Sequence, residues 1–338
     1  MPPTSAKRSL EEAESVLDGV KAIVLDIEGT ITPITFVKDK LFPYVTENIE
    51  SHLTSTYDEE ETQEDISDLR ALAASDKENG EDVVEIPEAK DDNKDEVIQA
   101  VIKNVSHQMD KDRKSAELKK LQGHIWREGY QSKKLEGELF EDVGPVLQQL
   151  GEEGFSLFIY SSGSIESQQL LLTHSTDGDL NEIFAGFFDT TFGPKNEAES
   201  YRTIKTEIEK NCEADSVNSE EILFLTDNPE EARAAREAGW QAVLVDRSLE
   251  QDDGIELDEE TRQSFQVIEN LHDLFGDDDL DEMEDYDGQV KRPRVDGNGE
   301  YDDEEDEGQE EGEEDYGDEG GEGEEEEAGE EGGEDEED

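Results

Sequence analysis

Two carboxylates stand close together near the start of the chain, in the segment VLDIEGTIT at positions 24–32. Asp26 follows a short apolar run, Glu28 comes two residues later, and Gly29 and Thr30 complete a turn. Paired carboxylates suit a magnesium ion, which prefers oxygen ligands. One carboxylate could also attack phosphorus as a nucleophile while the other moves a proton. The pattern is equally compatible with solvated acids at the end of a strand, so it leaves both interpretations open.

Three later segments carry groups that can bind phosphate or metal. Ser161 and Ser162 lie in YSSGS, directly before a predicted helix, where hydroxyls and free backbone N–H groups form an anion site. Lys195, in FGPKNEAES, can neutralise a phosphate as a point charge. Asp227, in LFLTDNPEE, can supply a further magnesium ligand. Each has an ordinary alternative (a helix cap, a solvated lysine, a capping acid), but in this order they indicate phosphoryl transfer.

Five apolar runs must position these groups, because each candidate residue lies at or just beyond the end of one of them. The runs are rich in Val, Ile, Leu and Phe with little alternation, which is typical of parallel strands buried on both faces. They are KAIVLDIEG (21–29), SLFIYSS (156–162), FAGFFDT (184–190), EILFLTDN (221–228) and QAVLVDR (241–247). Ligands of such sheets bind at the carboxyl ends of the strands, so we expect the candidate residues to converge.

Helical patterns alternate with the later runs and predict the fold class. They are SIESQQLLLTH, EAESYRTIKTEIEKN and NPEEARAAREAG. The last of them has Asn228 as a predicted N-cap, Pro229 at the first helical position and Gly239 as its stop. Strands and helices that alternate over 156–247 indicate a doubly wound α/β core with a parallel sheet.

A long interval of about 125 residues separates the first two runs, far more than one crossover needs. It contains amphipathic helical patterns, no convincing strand, and an acidic, irregular loop at 76–94. We therefore predict a mostly helical insertion over 37–139, within an α/β core formed by 18–36 and 140–276. Residues 1–17 are predicted to be a flexible N-terminus.

The chain is strongly acidic, with 98 Asp and Glu against 29 Lys and Arg in 338 residues, a net charge of -69. This charge disfavours nucleic-acid binding, which needs a basic surface, and leads us to expect a monomer. No apolar run approaches the length that spans a membrane, and the single cysteine, Cys212, cannot form an intramolecular disulfide. We therefore expect a soluble intracellular protein.

The segment 277–338 holds 35 of the acidic residues and few apolar ones, so it is predicted to be a disordered acidic tail. It contains one basic cluster, formed by Lys291, Arg292, Pro293 and Arg294. Such a cluster can act as a nuclear-import signal, although it can also arise by chance. The acidic run can bind basic proteins or simply keep the chain soluble, and solubility is the simpler interpretation.

The ordered set of groups resembles the haloacid-dehalogenase (HAD-like) superfamily of phosphotransferases. Several segments are similar, more narrowly, to the enolase-phosphatases (acireductone synthases) of methionine salvage: DIEGT, TPITFVKDKLFPY, YSSGS, FFDTTFGPK, ESYR and LFLTDN, over roughly residues 20–275. Glu28 is the distinguishing residue, since most phosphatases of the superfamily have Asp there. The resemblance implies a HAD-like core in which the 37–139 insertion is a helical cap. It also implies a monomer located in both cytoplasm and nucleus.

The resemblance implies a role for the acidic residues of the site. Asp26 would be the nucleophile that becomes an aspartyl-phosphate, and Glu28 would be the acid/base. Asp26, Glu28 and Asp227 would together form the site of one Mg²⁺ per subunit.

The resemblance also implies a small phosphorylated diketone, 2,3-diketo-5-methylthiopentyl 1-phosphate, as the substrate. Ser161 and Ser162 would hold its phosphate, and Lys195 would neutralise the charge. The enzyme would enolise this substrate and then hydrolyse the enol phosphate to acireductone and phosphate. The residue that removes the proton in the first step stays open, with Glu28 a candidate by proximity only.

Two other functions are compatible with parts of the sequence. A phosphatase of the same superfamily could act on another small phosphate ester, although Glu28 and TPITFVKDKLFPY favour the enolase-phosphatases. Alternatively, a phosphatase-like domain could present its acidic tail to basic proteins, although the intact Asp26, Lys195 and Asp227 argue against an inactive enzyme. Deletion of 277–338 separates the two ideas, because an enzyme would keep its turnover and a binding module would lose its partner.

Overall fold

A six-stranded parallel sheet organises the protein, as seen in a computed structural model that describes residues 16–90, 92–211, 217–251 and 254–275. The strand order is β3-β2-β1-β4-β5-β6. The strands are β1 (Ala22–Leu25), β2 (Ser156–Tyr160), β3 (Phe184–Phe188), β4 (Ile222–Thr226), β5 (Gln241–Val245) and β6 (Gln266–Ile268). The five predicted strands are confirmed. The sixth strand, β6, was not predicted, because three residues are too few to stand out as an apolar run.

Helices occupy the interval between β1 and β2 and alternate with the later strands. They are α1 (Ile34–Phe36), α2 (Phe42–Thr56), α3 (Glu60–Glu78), α4 (Lys94–Asp110), α5 (Ala116–Gln131), α6 (Val143–Glu152), α7 (Ile165–Thr173), α8 (Ala198–Asn211), α9 (Pro229–Glu237) and α10 (Glu259–Ser264). A π-helical turn, Val37–Leu41, joins α1 to α2. The predicted α/β class with a parallel sheet is confirmed. None of the described helices is long and apolar enough to cross a membrane.

The cap of α9 follows the predicted pattern. The Asn228 side chain accepts a hydrogen bond from the Glu230 N–H at 2.9 Å, and Pro229 stands at the first helical position. Gly239 follows the helix with a φ of +91°, a conformation that favours glycine. Because α9 starts directly after β4, these local signals fix where the helix begins relative to the carboxyl end of that strand.

The register of the central strands brings their carboxyl ends level. Leu25 at the end of β1 aligns with Ile159 of β2 and with Leu225 of β4. Asp26 therefore emerges between the residues that follow β2 and those that follow β4. This register is the reason why groups that are far apart in the sequence meet at one edge of the sheet.

The core lies on both faces of the sheet. Ile23 belongs to the cluster that includes α6 and the helices of the insertion, whereas its neighbour Val24 belongs to the cluster beneath α8 and α9. Successive residues of a strand point to opposite faces, so both must be apolar when both faces are covered. This explains the lack of alternation in the sequence.

The insertion has an apolar interior of its own. α5 packs against α2, α3 and the core helix α7. The fully buried side chains of the insertion include Leu53, Leu69, Val101 and Leu121. The predicted irregular loop at 76–94 corresponds to the segment between α3 and α4. The domain boundaries, including 37–139 for the insertion, stay a prediction. The predicted tail 277–338, its basic cluster, Cys212 and most of 1–17 lie outside the described residues.

Arg247, just beyond β5, ties the turn after β1 to the core. Its side chain is fully buried, and its Nε and Nη2 atoms donate to the Thr30 carbonyl oxygen at 3.1 and 3.0 Å. Its Nη1 donates to Asp142 Oδ1 at 2.9 Å, and the guanidinium lies 4.3 Å from the Phe140 ring centroid. A planar guanidinium can bind Thr30 and Asp142 at the same time because its donors point in different, fixed directions.

Replacement of Arg247 by Met is expected to lower the free energy of unfolding by about 3–5 kcal/mol, because it leaves the buried Asp142 carboxylate without its cation. Urea denaturation measures the change. The matched control is Arg202→Met, which removes a half-exposed ion pair with Glu199 on α8 and should cost less than about 1 kcal/mol. Equal losses in the two variants would contradict this role of Arg247.

Candidate active site

The turn after β1 holds Asp26 in a fixed, buried position. The Ile27 N–H donates to Asp26 Oδ1 at 2.7 Å, and the residue is only 5% exposed. Gly29 has a φ of +76°, and a Cβ atom there would lie 2.3 Å from Asp227 Oδ2. Glycine is therefore required at this position both by the backbone conformation and by the close approach of Asp227.

Lys195 lies between two carboxylates at the centre of the site. Its Nζ is 2.5 Å from Asp26 Oδ1 and 2.7 Å from Glu231 Oε2, and its side chain is almost completely buried. Burial alone would lower the pKa of Lys195, but the charges of Asp26 and Glu231 raise it above its ordinary value. Lys195 is therefore a permanent positive charge directly beside the predicted nucleophile.

Thr226 and Thr30 hold the acids of β4 and α9 against Asp26. The Thr226 hydroxyl lies 3.2 Å from Asp26 Oδ2 and 3.0 Å from Glu231 Oε2. The Asp227 N–H donates to Thr30 Oγ1 at 3.0 Å. The structure thus brings Asp26, Lys195 and Asp227 together, as the sequence analysis expected, and adds Glu231 to them.

The site contains four acids, Asp26, Glu28, Asp227 and Glu231, and their combined negative charge is more than Lys195 alone can balance. Burial, and then the charge of Asp26, raise the pKa of Glu28. Burial, together with Asp26 and Glu231, raises the pKa of Asp227 to about 8, and burial and Asp26 raise the pKa of Glu231 to about 7. Such shifts cluster at functional sites. A hard divalent cation, which prefers carboxylate oxygens, would relieve this repulsion, so the donor set fits Mg²⁺.

The carboxylates do not form a ready metal site as they stand. Among the described residues, no group of three His, Cys, Asp or Glu side chains is placed to hold a metal ion. Instead, Asp26 forms an ion pair with Lys195. The metal set of Asp26, Glu28 and Asp227 therefore stays a prediction.

The YSSGS segment forms the turn between β2 and α7. The Ser161 N–H donates to the Phe188 carbonyl oxygen at 3.1 Å, and the Gly163 N–H donates to Ser161 Oγ at 3.2 Å. Ser164 caps α7 by accepting from the Ser167 N–H at 3.2 Å. The predicted helix start is confirmed, and Ser161 and Ser162 lie at its amino end, where an anion is stabilised.

A cavity of about 240 Å³ opens beside this turn. Glu28, Ser161 and Ser162 line it from the core. Apolar side chains line much of the rest, among them Phe36, Leu41, Met109, Trp126 and Leu171. A pocket with an apolar wall and a few polar groups at one end is typical of a site for a small molecule with a polar head and an apolar chain.

The helical insertion closes over this cavity from the other side. Lys119 of α5 donates from Nζ to the Ser162 carbonyl oxygen at 2.7 Å. Arg127 of the same helix donates from Nε to Glu166 Oε1 of α7 at 2.6 Å. The insertion is therefore attached to the same turn and helix that carry the predicted phosphate site.

Two residues of the site, Glu231 and Lys119, have roles that were not predicted from the sequence. From the sequence, Glu231 in NPEE has two interpretations, a secondary role at the metal or, more simply, surface charge. Its side chain is only 13% exposed and contacts Lys195, so the simpler interpretation was wrong. A signal existed, because Glu231 is the third residue of α9 and a long acid at this position reaches back toward the helix start. Lys119 carried no local signal, since it is one of two adjacent lysines on an amphipathic helix.

Known proteins resemble the chain over most of its length. Residues 20–239 match the haloacid dehalogenase-like hydrolase family. The chain is 47% identical over 272 residues to the Enolase-phosphatase E1 of Branchiostoma floridae, which covers 78% of this chain and 86% of the relative. It is 49% identical over 236 residues to the Enolase-phosphatase E1 of Xenopus tropicalis, with coverage of 69% and 87%.

A longer relative and a solved structure agree with these matches. A Zea mays protein named a probable bifunctional methylthioribulose-1-phosphate dehydratase/enolase-phosphatase E1 is 46% identical, over 67% of this chain and 43% of the relative. The crystal structure of the UTR4 protein from Saccharomyces cerevisiae superposes with a TM-score of 0.57 and 29% identity, covering 74% of this chain and 98% of that one. The resemblance inferred from the sequence is thus confirmed: the chain belongs to the enolase-phosphatase family of haloacid dehalogenase-like hydrolases, and it is a phosphatase.

Proposed function

We propose that the protein is a magnesium-dependent, bifunctional enolase-phosphatase of methionine salvage. It enolises 2,3-diketo-5-methylthiopentyl 1-phosphate and then hydrolyses the enol phosphate to acireductone and inorganic phosphate. The names of the relatives support this proposal. The observation that carries it is the buried contact between Asp26 and Lys195, beside Asp227 and next to a cavity that is polar at one end and apolar along its wall.

One Mg²⁺ per subunit would be held by Asp26 and Asp227, with Glu28 as a further carboxylate of the site. When bound, such an ion neutralises phosphate charge and polarises oxygen atoms. The donor set supports the assignment, because burial, and then the charge of Asp26, raise the pKa of both Glu28 and Asp227.

In the phosphatase step, Asp26 attacks phosphorus and forms an aspartyl-phosphate, which water then hydrolyses. The bond from the Ile27 N–H to Asp26 Oδ1 and the Thr226 hydroxyl beside Oδ2 hold the carboxylate in one orientation. Lys195 stabilises the charge that collects on the transferring phosphoryl group. Ser161 and Ser162, at the amino end of α7, hold the phosphate oxygens. Glu28, with its raised pKa, is suited to hold and move a proton at the leaving and attacking oxygens.

The apolar wall of the cavity accounts for the substrate class. The methylthioalkyl chain of the proposed substrate is apolar, and a wall that contains Met109 and Trp126 offers it a dry surface. Thioether sulfur also makes favourable contacts with aromatic rings. A short hydrophilic phosphate ester would leave this wall uncovered, which is why we favour the diketone phosphate over other small esters.

We further propose that the protein is a monomer found in both cytoplasm and nucleus. The high net charge of -69 supports a monomer, because like charges repel between copies. The basic cluster formed by Lys291, Arg292 and Arg294 supports nuclear import. Contact between the tail and basic proteins stays a prediction that deletion of 277–338 would test.

The nucleophile assignment is tested with Asp26→Asn, which removes the attacking charge while keeping the size of the side chain. Phosphate release from the diketone phosphate should fall about 1,000-fold or more, and wild-type release should require Mg²⁺. Phosphate release and the ultraviolet absorbance of the enol are followed together, and circular dichroism confirms the fold. The matched control is Asp58→Asn, at an acid whose side chain is 91% exposed, and it should behave like wild type. If the wild-type protein hydrolyses only simple phosphate esters, the proposed substrate is wrong. If Asp26→Asn is active, the assignment of Asp26 as the nucleophile is wrong.

The raised pKa values predict how the magnesium effect on stability depends on pH. Asp227 and Glu231 bind protons below about pH 8 and 7, and carboxylates bind metal only when ionised. As pH rises through these values both acids lose their protons, so the site gains negative charge and affinity. We therefore expect the increase in Tm caused by Mg²⁺ to be larger at about pH 8.5 than at about pH 6. An equal increase at both pH values, or an undiminished one in Asp227→Asn, would contradict the metal assignment.

A further inference from the structure

Lys119 is the half-buried cation through which the helical insertion reaches the site. Its ammonium nitrogen is 2.7 Å from the Ser162 carbonyl oxygen, although the two residues are 43 positions apart and belong to α5 and to the turn before α7. An ammonium group has three donor hydrogens, so a bond to Ser162 leaves it able to donate to a ligand oxygen. Lys119 lines the same cavity as Glu28.

The other cations around the cavity are committed elsewhere or face water. Lys195 is engaged by Asp26 and Glu231. Arg113 forms an ion pair with Asp76 at 2.5 Å. Lys38 and Lys114 also line the cavity, but both are exposed, and the Lys114 side chain is 63% accessible. Of the described cations that line the cavity, Lys119 is therefore the one that is both half-buried and bonded to the turn that contains Ser161 and Ser162.

The proposed enolisation needs a positive group beside the C2 carbonyl oxygen of the substrate. The C1–H bond of the diketone phosphate breaks, its electron pair forms the C1=C2 double bond, and the C2 carbonyl oxygen gains negative charge and then a proton. Only one oxygen and one carbon lie between phosphorus and this carbonyl. If the turn holding Ser161 and Ser162 binds the phosphate, the C2 oxygen must lie within a few bonds of that turn. A donor attached to the turn is thus at the right distance.

We propose that Lys119 is the residue of the helical insertion that polarises the C2 carbonyl in the enolisation step and protonates the resulting enolate oxygen. The proton lost from C1 passes to a base, for which Glu28 in the same cavity is the candidate. Glu28 then releases this proton to water and Lys119 recovers one from water, so that both groups return to their starting states and no net proton is gained or lost. This inference rests on the proposed function and deepens it, because it assigns the first half-reaction to the insertion and leaves phosphoryl transfer to the core.

Two features of the site support this role. Burial lowers the pKa of Lys119, which makes its ammonium a better proton donor, and the neighbouring charge of Lys114 acts in the same direction. In addition, α5 is held against α7 by the ion pair of Arg127 with Glu166, so the Lys119 ammonium is fixed relative to the phosphate turn. A fixed donor stabilises developing charge without reorganisation.

The experiment compares two reactions in the intact enzyme with Mg²⁺. Enol formation from the diketone phosphate is followed by ultraviolet absorbance, and hydrolysis of p-nitrophenyl phosphate, which has no carbonyl to enolise, reports phosphoryl transfer alone. Lys119→Met should lower kcat for enol formation about 100-fold and leave p-nitrophenyl phosphate hydrolysis within about twofold. Lys119→Arg, which keeps the charge, should restore part of the loss. The matched control, Lys103→Met, removes the same charge from an exposed position on α4 and should change neither reaction.

The outcomes separate this inference from the proposed function. Equal loss of both reactions in Lys119→Met would mean that the residue serves folding or phosphate binding. A rise in KM at constant kcat would mean that it only binds substrate. Either result, or unchanged enol formation, would overturn the proposal. If the wild type hydrolyses p-nitrophenyl phosphate but forms no enol from the diketone phosphate, the proposed function itself fails and this role fails with it.

Discussion

The burial of one ammonium among several carboxylates is the constraint on which the rest of the structure depends. Lys195 is nearly inaccessible to water and is stable as a cation only because Asp26 and Glu231 face it at 2.5 and 2.7 Å. The carboxylates in turn are tolerated in this environment because Lys195 is present. Charges removed from water need such close partners, since the loss of either one leaves a costly unpaired ion. The sheet register, the short turn at Gly29 and the start of α9 all serve to keep these groups at contact distance.

This arrangement divides the work of the site between two parts of the chain. The core supplies Asp26, Lys195 and Asp227, which we propose act on phosphorus, and Asp26 and Asp227 directly follow strands that are hydrogen-bonded to their neighbours. The insertion supplies Lys119 and part of the apolar wall, including Met109 and Trp126, and it contacts the core through Ser162 and Glu166. Because a parallel sheet can present the same phosphate chemistry beneath different insertions, we expect the choice of substrate to depend mainly on the insertion, whose helices α4 and α5 supply Met109, Lys119 and Trp126 to the cavity.

Much of the core could be predicted from the sequence because its signals are local. Strands covered on both faces are continuous apolar runs, and Asn228, Pro229 and Gly239 mark the ends of α9 by their own conformational preferences. The strand-end residues Asp26 and Asp227 followed from those runs. By contrast, the roles of Glu231 and Lys119 depend on which helix face meets which partner. An acid or lysine on an amphipathic helix has the same local pattern whether it faces water or a site, so only the packed structure distinguishes the two.

The order of the elements along the chain also has a consequence for biosynthesis. Asp26 belongs to the first strand, but the Thr226 hydroxyl beside it comes from a residue 200 positions later. The helices of the insertion follow β1 directly and make contacts that are close in sequence, which form faster than contacts between distant strands. Since domains begin to fold as the chain emerges from the ribosome, the insertion can become compact while β1 still lacks both of its neighbours. Asp26, the proposed nucleophile, therefore acquires Asp227 and Glu231 as neighbours only after β4 and the start of α9 have been translated, and a nascent chain that stops earlier has an incomplete site.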